Sequence, residues 1–350
     1  MPKKLSAWQL GASFAGCFLG AGYMSGQELW QFFGIFGASW GKGLVLTLCM
    51  IFIFGCLFLR LMFATNCDNT VEIVFSANHI WLKKGLNILM PLFLYAVIIV
   101  MASGIGALAE QMWGMSAKIT AVLFCFLCAA TALGGAKGAA GVFTFIVPVL
   151  AIAAVGVSLL IFKLPAQEIS VRGNFNQLLP NWQVGAILFA AHNIFGALGM
   201  LAPFQPMLQK GTLVRAAAIG TAVLGAIAFF ELQALARVPI AAQKELPMLY
   251  LAAYLGDGWG VVYAALLFSA MSASALGAMV ALKECVRKKW PHKYLSVVIL
   301  AIFTAFGSIL SFSGLIGVIY PLCGYAGIVL LGGIAEHSLR IFRKNENVDF

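Results

Sequence analysis

Charge is what this chain has least of. Asp, Glu, Lys and Arg make up 10% of it, with only 12 acidic residues in 350, whereas soluble domains carry ~25% charged residues. A soluble fold of this size is excluded, because too few polar side chains remain to cover its surface. Catalytic signatures are missing as well. No G-x-x-x-x-G-K-[ST] loop is present to make an ATP-driven pump. Paired carboxylates, a histidine cluster and a nucleophile motif are absent, so an enzyme is not expected. The four His and eight Cys show no metal or disulfide framework. Cys125 and Cys128 have C-x-x-C spacing, but inside an apolar run that spacing reads as packing. The net charge of +10 comes without a basic patch interleaved with aromatics, so no nucleic-acid partner is expected.

Apolar sequence fills the space instead. With 62% hydrophobic residues and a mean hydropathy of +0.97, the chain reads as a polytopic membrane protein whose first partner is lipid. Ten apolar runs are expected to span, at residues 7–36, 42–64, 85–111, 116–134, 141–163, 183–208, 213–236, 259–283, 294–311 and 315–339. Met1-Pro2-Lys3-Lys4 and the run after it read as a retained first span, since no small-residue cleavage site follows. With the N-terminus inside, most of the 22 Lys and Arg fall on the cytoplasmic side. Lys83, Lys84 and the lipid-facing cluster Arg287-Lys288-Lys289 are among them. That bias puts both termini in the cytoplasm.

Ten spans divide into five and five across residues 164–181. An odd number of crossings inverts the second half, so a single transmembrane domain over 1–350 is expected, with repeats at 6–163 and 182–341. Two loops stand out. Arg237 to Gly258 is long enough to cap an outer vestibule, and Thr65 to Lys84 could lie as a short interfacial helix.

The first run is too long for one helix. From Ala7 to Phe36 it would reach ~45 Å, against a ~30 Å hydrocarbon core. GAGYMSGQE, Gly20 to Glu28, is where it should break: Gly20, Gly22 and Gly26 weaken the helix by ~1 kcal/mol each relative to Ala, and Ser25, Gln27 and Glu28 follow. Unwound backbone at that depth must be buried in protein or line a cavity, so the break predicts a binding site. Gly16 to Gly20 and Gly22 to Gly26 also have the G-x-x-x-G spacing of close helix packing, an alternative that leaves Gln27-Glu28 unexplained. A matching interruption is expected at Ala191 to Met200, AHNIFGALGM, with His192, Asn193 and Gly196. Paired interrupted spans point to a transporter site.

Glu28 is the leading candidate, since an intramembrane carboxyl costs at least ~2.5 kcal/mol; it could pair with a substrate amine or carry a proton. His192 titrates near neutral pH when unperturbed and is the second proton candidate. Ser25 and Gln27 are read as supporting groups. Tyr95, four residues after Pro91, and Ser103 could reach the site, or pack. Glu110, Glu231 and Glu336 are read as solvated groups at span ends.

Taken together, the layout resembles the LeuT-fold transporters of the amino acid, polyamine and organocation (APC) superfamily. GAGYMSGQE followed by Phe32-Phe33 is similar to the first helix of bacterial YkvI-type membrane proteins within it. The resemblance implies a bacterial cytoplasmic-membrane protein that moves a small nitrogenous solute, an amino acid or related zwitterion, coupled to H+ or Na+. It also implies that backbone N–H groups at Gly20, Ala21 and Gly22 bind a substrate carboxylate. A sodium site would use carbonyls at Gly16 and Leu19 with hydroxyls among Ser269, Ser272 and Ser274. The family's two adjacent hydroxyls are missing there, and the lysine that replaces the ion in proton-coupled members has no counterpart from Phe143 to Ile161. Proton coupling would then fall to Glu28 or His192. A ligand sensor built on the same scaffold is the alternative function.

Overall fold

The computed structural model describes residues 4–65, 70–75, 80–134, 139–166, 176–287 and 310–345. Every regular element among them is helical. The helices are α1 Ala7–Gly16, α2 Ala21–Met24, α3 Gln27–Phe32, α4 Trp40–Thr65, α5 Thr70–Val74, α6 Ile80–Trp113, α7 Ala117–Gly134, α8 Ala139–Ile161, α9 Trp182–Leu201, α10 Leu213–Arg237, α11 Pro247–Leu255, α12 Asp257–Arg287 and α13 Phe312–Asn345.

The first run is three helices in place of one. A capping box starts α1: the Ser6 hydroxyl accepts from the Gln9 N–H, and the Gln9 side chain accepts from the Ser6 N–H, satisfying two otherwise orphaned donors. The chain then leaves the helix at Cys17 and turns extended at Gly20 (φ −84°, ψ −175°). A second break falls at Gly26, whose φ of 77° lies in the left-handed region, where a Cβ costs roughly 1–2 kcal/mol.

The second expected interruption is a correction. α9 runs unbroken through Ala191 to Met200 and gives way only at Ala202–Met207, to a 3₁₀ stretch containing Pro203 and Pro206. Gly196 and Gly199 are tolerated because α9 is enclosed by neighbours that hold it helical, with most of its residues buried. Prolines, which remove an N–H and clash with the preceding turn, end it where the glycines do not.

Six stretches of the described residues are long and apolar enough to cross a membrane: Gly34–Thr65, Ile80–Trp113, Trp182–Leu201, Lys210–Arg237, Asp257–Met279 and Phe312–Arg343. Ala117–Ala130 and Val147–Ile161 are shorter apolar helices. The division of the first run removes it from this set, and the ninth expected span lies almost wholly outside the described residues, as does Lys137. Ten uniform crossings are therefore not what is seen.

The packing is reciprocal. α1 lies against α10 while α9 lies against α4; α1 touches α8 while α9 touches α13; α6 packs along α12. α5 is drawn into the body: Ile73 and Val74 are fully buried, and the Ile73 carbonyl lies 2.8 Å from His337 Nδ1 on α13. It is the short helix within residues 65–84, with Ile73 and Val74 packed on the body. The Arg237–Gly258 loop folds inward as a 3₁₀ turn and α11, whose Met248 N–H donates to the Ser25 carbonyl at 2.8 Å. It caps the second break.

Candidate functional site

Glu28 stands in the first turn of α3 and is 2% exposed. Its carboxyl folds back over the break, and a Cβ added to Gly22 would lie 2.8 Å from Glu28 Oε2 and 3.1 Å from the Tyr320 ring. Only glycine leaves room there. From α9, Asn193 Nδ2 donates to Glu28 Oε1 at 3.0 Å and to the Phe189 carbonyl, also at 3.0 Å. His192 Nε2 lies 3.9 Å from the same Glu28 oxygen. Tyr320 of α13 stacks on the His192 ring with centroids 4.1 Å apart. That stacking follows from close helix approach: Gly324 and Gly327, one and two turns beyond Tyr320, lie against the Leu188 and Ala191 carbonyls of α9. Three side chains from two other helices thus gather around one carboxyl.

A cavity of about 50 Å³ opens beside them, with Cys17, Phe18, Gly20, Phe93, Val97, Met101, Gly196, Met200 and Ser274 in its wall. That is about a third of the ~150 Å³ that admits a benzene-sized guest, and enough for a few waters. Its chemistry is one acid, one amide, an imidazole whose Nδ1 has no hydrogen-bond partner and an aromatic-thioether wall. A buried carboxyl facing aromatic rings suits an ammonium group. The methionines, flexible and polarizable, suit a wall that must move to admit one.

The other expected residues scatter. Gly20 lines the cavity, but the Glu28 carboxyl occupies the space over Gly22, and Ala21 is buried behind it. An open carboxylate cradle at Gly20 to Gly22 is therefore not formed, because the chain's own acid sits there. Ser25 is spent on the hinge, donating to the Gly22 carbonyl and accepting from the Gln27 N–H. Gln27 is buried outside the cavity wall with Oε1 unpaired. Phe93, Val97 and Met101 recur every four residues and face the site, which turns Tyr95 to the opposite side of α6. Ser103 donates to the Leu310 carbonyl at 2.6 Å, a tie from α6 to the bend just before α13.

At the expected sodium site, Gly16 ends α1 and Leu19 is buried, its N–H held by the Ala15 carbonyl. Ser269 is exposed and bonds back to the Ala265 carbonyl; Ser272 has a buried, unpaired hydroxyl and Ser274 lines the cavity. The three serines point different ways on one helix, so their hydroxyls do not gather at one point, in keeping with the absence of the family's adjacent pair. Sequence reading missed Tyr320, Phe93, Met101 and Cys17. The aromatic immediately before Pro321 was the one available sign of Tyr320.

No protein-family model matches the chain. It is similar to the uncharacterized membrane protein YkvI of Bacillus subtilis (strain 168), 26% identical over 95% of this chain and 96% of the relative. Among solved structures, a Na+-coupled sialic acid symporter in a substrate-bound outward-open state aligns with a TM-score of 0.61 at 15% identity, covering 94% of this chain and 78% of its own. The inward-facing conformation of Mhp1 aligns with a TM-score of 0.58 at 14% identity, over 95% and 76%. The chain has the helical fold of these transporters.

Proposed function

We propose that this chain is a secondary active transporter of a small nitrogenous solute, an amino acid or related zwitterion, working by alternating access coupled to H+ or Na+. The observation that carries the reading is the Glu28 carboxyl, buried at a helix break and held by Asn193 from the other half of the chain. An ammonium group binding Glu28 would draw on both halves at once, so occupancy and the relative position of the halves are linked. A cavity of about 50 Å³ is a contracted form of the site, and solute entry requires the wall to widen. Coupling through H+ is favoured over Na+ by the scattered serines. The fold shared with a Na+-coupled symporter supports transport as the class.

The reciprocal helix packing supports an inverted repeat of five plus five spans over 6–163 and 182–341. The charge distribution supports a multi-pass protein of the bacterial cytoplasmic membrane with both termini inside, surrounded by lipid. Uptake of labelled amino acids and amines into proteoliposomes, with imposed proton or sodium gradients, tests the reading. Gradient-driven accumulation of an ammonium-bearing solute is the expected result. Saturable binding with no accumulation under either gradient would replace the transporter with the sensor.

A further inference from the structure

One buried acid has no part in the site above. Glu231 of α10, read from sequence as a solvated span-end group, has no solvent exposure, and neither carboxyl oxygen has a hydrogen-bond partner of good geometry. It abuts the second break: a Cβ built on Gly26 would lie 3.7 Å from Glu231 Oε2, with Met248 at 2.9 Å and Leu235 at 3.1 Å filling the remaining space. The titratable groups facing it are Tyr263 of α12 and Tyr23 of α2, and Tyr23 also stands near Glu28. Both phenol protons are already committed. Tyr263 donates to the Met24 carbonyl and Tyr23 to the Leu224 carbonyl, each at 2.7 Å.

The Tyr263 phenol therefore turns an oxygen lone pair, not its proton, toward the carboxyl. Among the described residues no basic side chain pairs with it; Arg237, further along α10, gives its Nε to the Leu164 carbonyl. Acceptor against acceptor in a dry contact needs a positive occupant between them, because a bare carboxylate is not sustained there. The packing selects which. A metal cation needs several oxygens converging on it, whereas on the Gly26 side the atoms packed with Glu231 Oε2 are the Met248 and Leu235 side chains. A proton needs only the two oxygens it joins.

We propose that Glu231 is a proton-binding site separate from the Glu28 cavity, its proton bridging the carboxyl to the Tyr263 oxygen behind the hinge at Gly26. Opening of the Met248–Ser25 contact exposes it to water and lets the proton exchange. A role in coupling rests on the transporter reading; the existence of the site does not.

Infrared absorption of the full-length protein in lipid vesicles reads a neutral carboxyl directly. The expected result is a neutral-carboxyl band at pH 7 that Glu231→Gln removes and Glu28→Gln leaves. It disappears reversibly as pH is raised and is unchanged when sodium chloride replaces choline chloride. Tyr263→Phe, which removes the acceptor, shifts it. Gln copies the neutral acid, so Glu231→Gln should keep the wild-type Tm at pH 7. If that variant fails to fold, Glu231→Asp moves the same band and serves instead. A band indifferent to every Glu231 substitution, one abolished by sodium, or one that persists until the protein unfolds overturns the proposal. No solute is used, so a titrating band beside failed uptake leaves this site standing and removes the transport reading.

Discussion

At the scale of single residues, the site depends on one acid and the groups that hold it. Glu28→Gln keeps the shape and the Asn193 contact while removing the charge. The expected outcome is loss or uncoupling of solute movement in proteoliposomes, with a Tm close to wild type. Asn193→Ala removes the donor to Glu28 Oε1 and leaves a buried acceptor unsatisfied, a cost of roughly 1–3 kcal/mol. Pairing it with Glu28→Ala should recover part of that loss, with a coupling energy of roughly 0.5–3 kcal/mol in a double-mutant cycle of chemical unfolding. Additive losses would mean that the two side chains do not support one another. Glu28 was legible from sequence because an acid inside an apolar run has no cheap explanation. Glu231 was equally visible but misassigned: its nearness to the end of its run suggested water, whereas burial is decided by what α12 and α2 bring against it.

At the scale of the element, the divided first span makes a sharp comparison between two glycines. Gly20 is extended rather than left-handed, and the nearest atom to an added Cβ is Met101 Cε at 3.7 Å. Gly20→Ala should therefore fold with little change in Tm. Gly26 has a positive φ and an added Cβ would meet Met248 Cγ at 2.9 Å; backbone strain of ~1–2 kcal/mol and overpacking of ~1–3 kcal/mol act together. Gly26→Ala should lower Tm by several degrees and reduce the yield of folded protein. Equal effects at the two positions would contradict the assigned hinge. The break in this run followed from length and glycine content. Its counterpart in α9 did not, because tertiary enclosure overrode weak helix propensity at Gly196 and Gly199, and the chain yielded at the prolines instead.

At the scale of the whole molecule, the side of the bundle beyond the second break is tied shut. Glu245 accepts from the Ser313 N–H at 2.7 Å and from its hydroxyl at 3.0 Å, and Gln31 donates to the Ser313 carbonyl at 2.8 Å. Cys17 reports the opposite approach, since it lines the cavity near the end of α1. In a background with the other cysteines replaced, a membrane-impermeant maleimide should reach Cys17 from the side of the α1 N-terminus. Glu245→Ala, which frees the segment leading into α11 from α13, should slow that labelling by favouring the state open on the other side. An unchanged rate would remove the tie from the conformational equilibrium. By itself the sequence determined that the chain is a bundle of apolar helices with one span broken around an acid. Those properties are local, set by transfer free energy, glycine content and run length. Only the tertiary structure decided that Asn193, His192 and Tyr320 converge on that acid, that the serines of α12 diverge, and that Glu231 is buried. Each of these depends on helix rotation and close approach, which arise from packing between segments far apart in the chain.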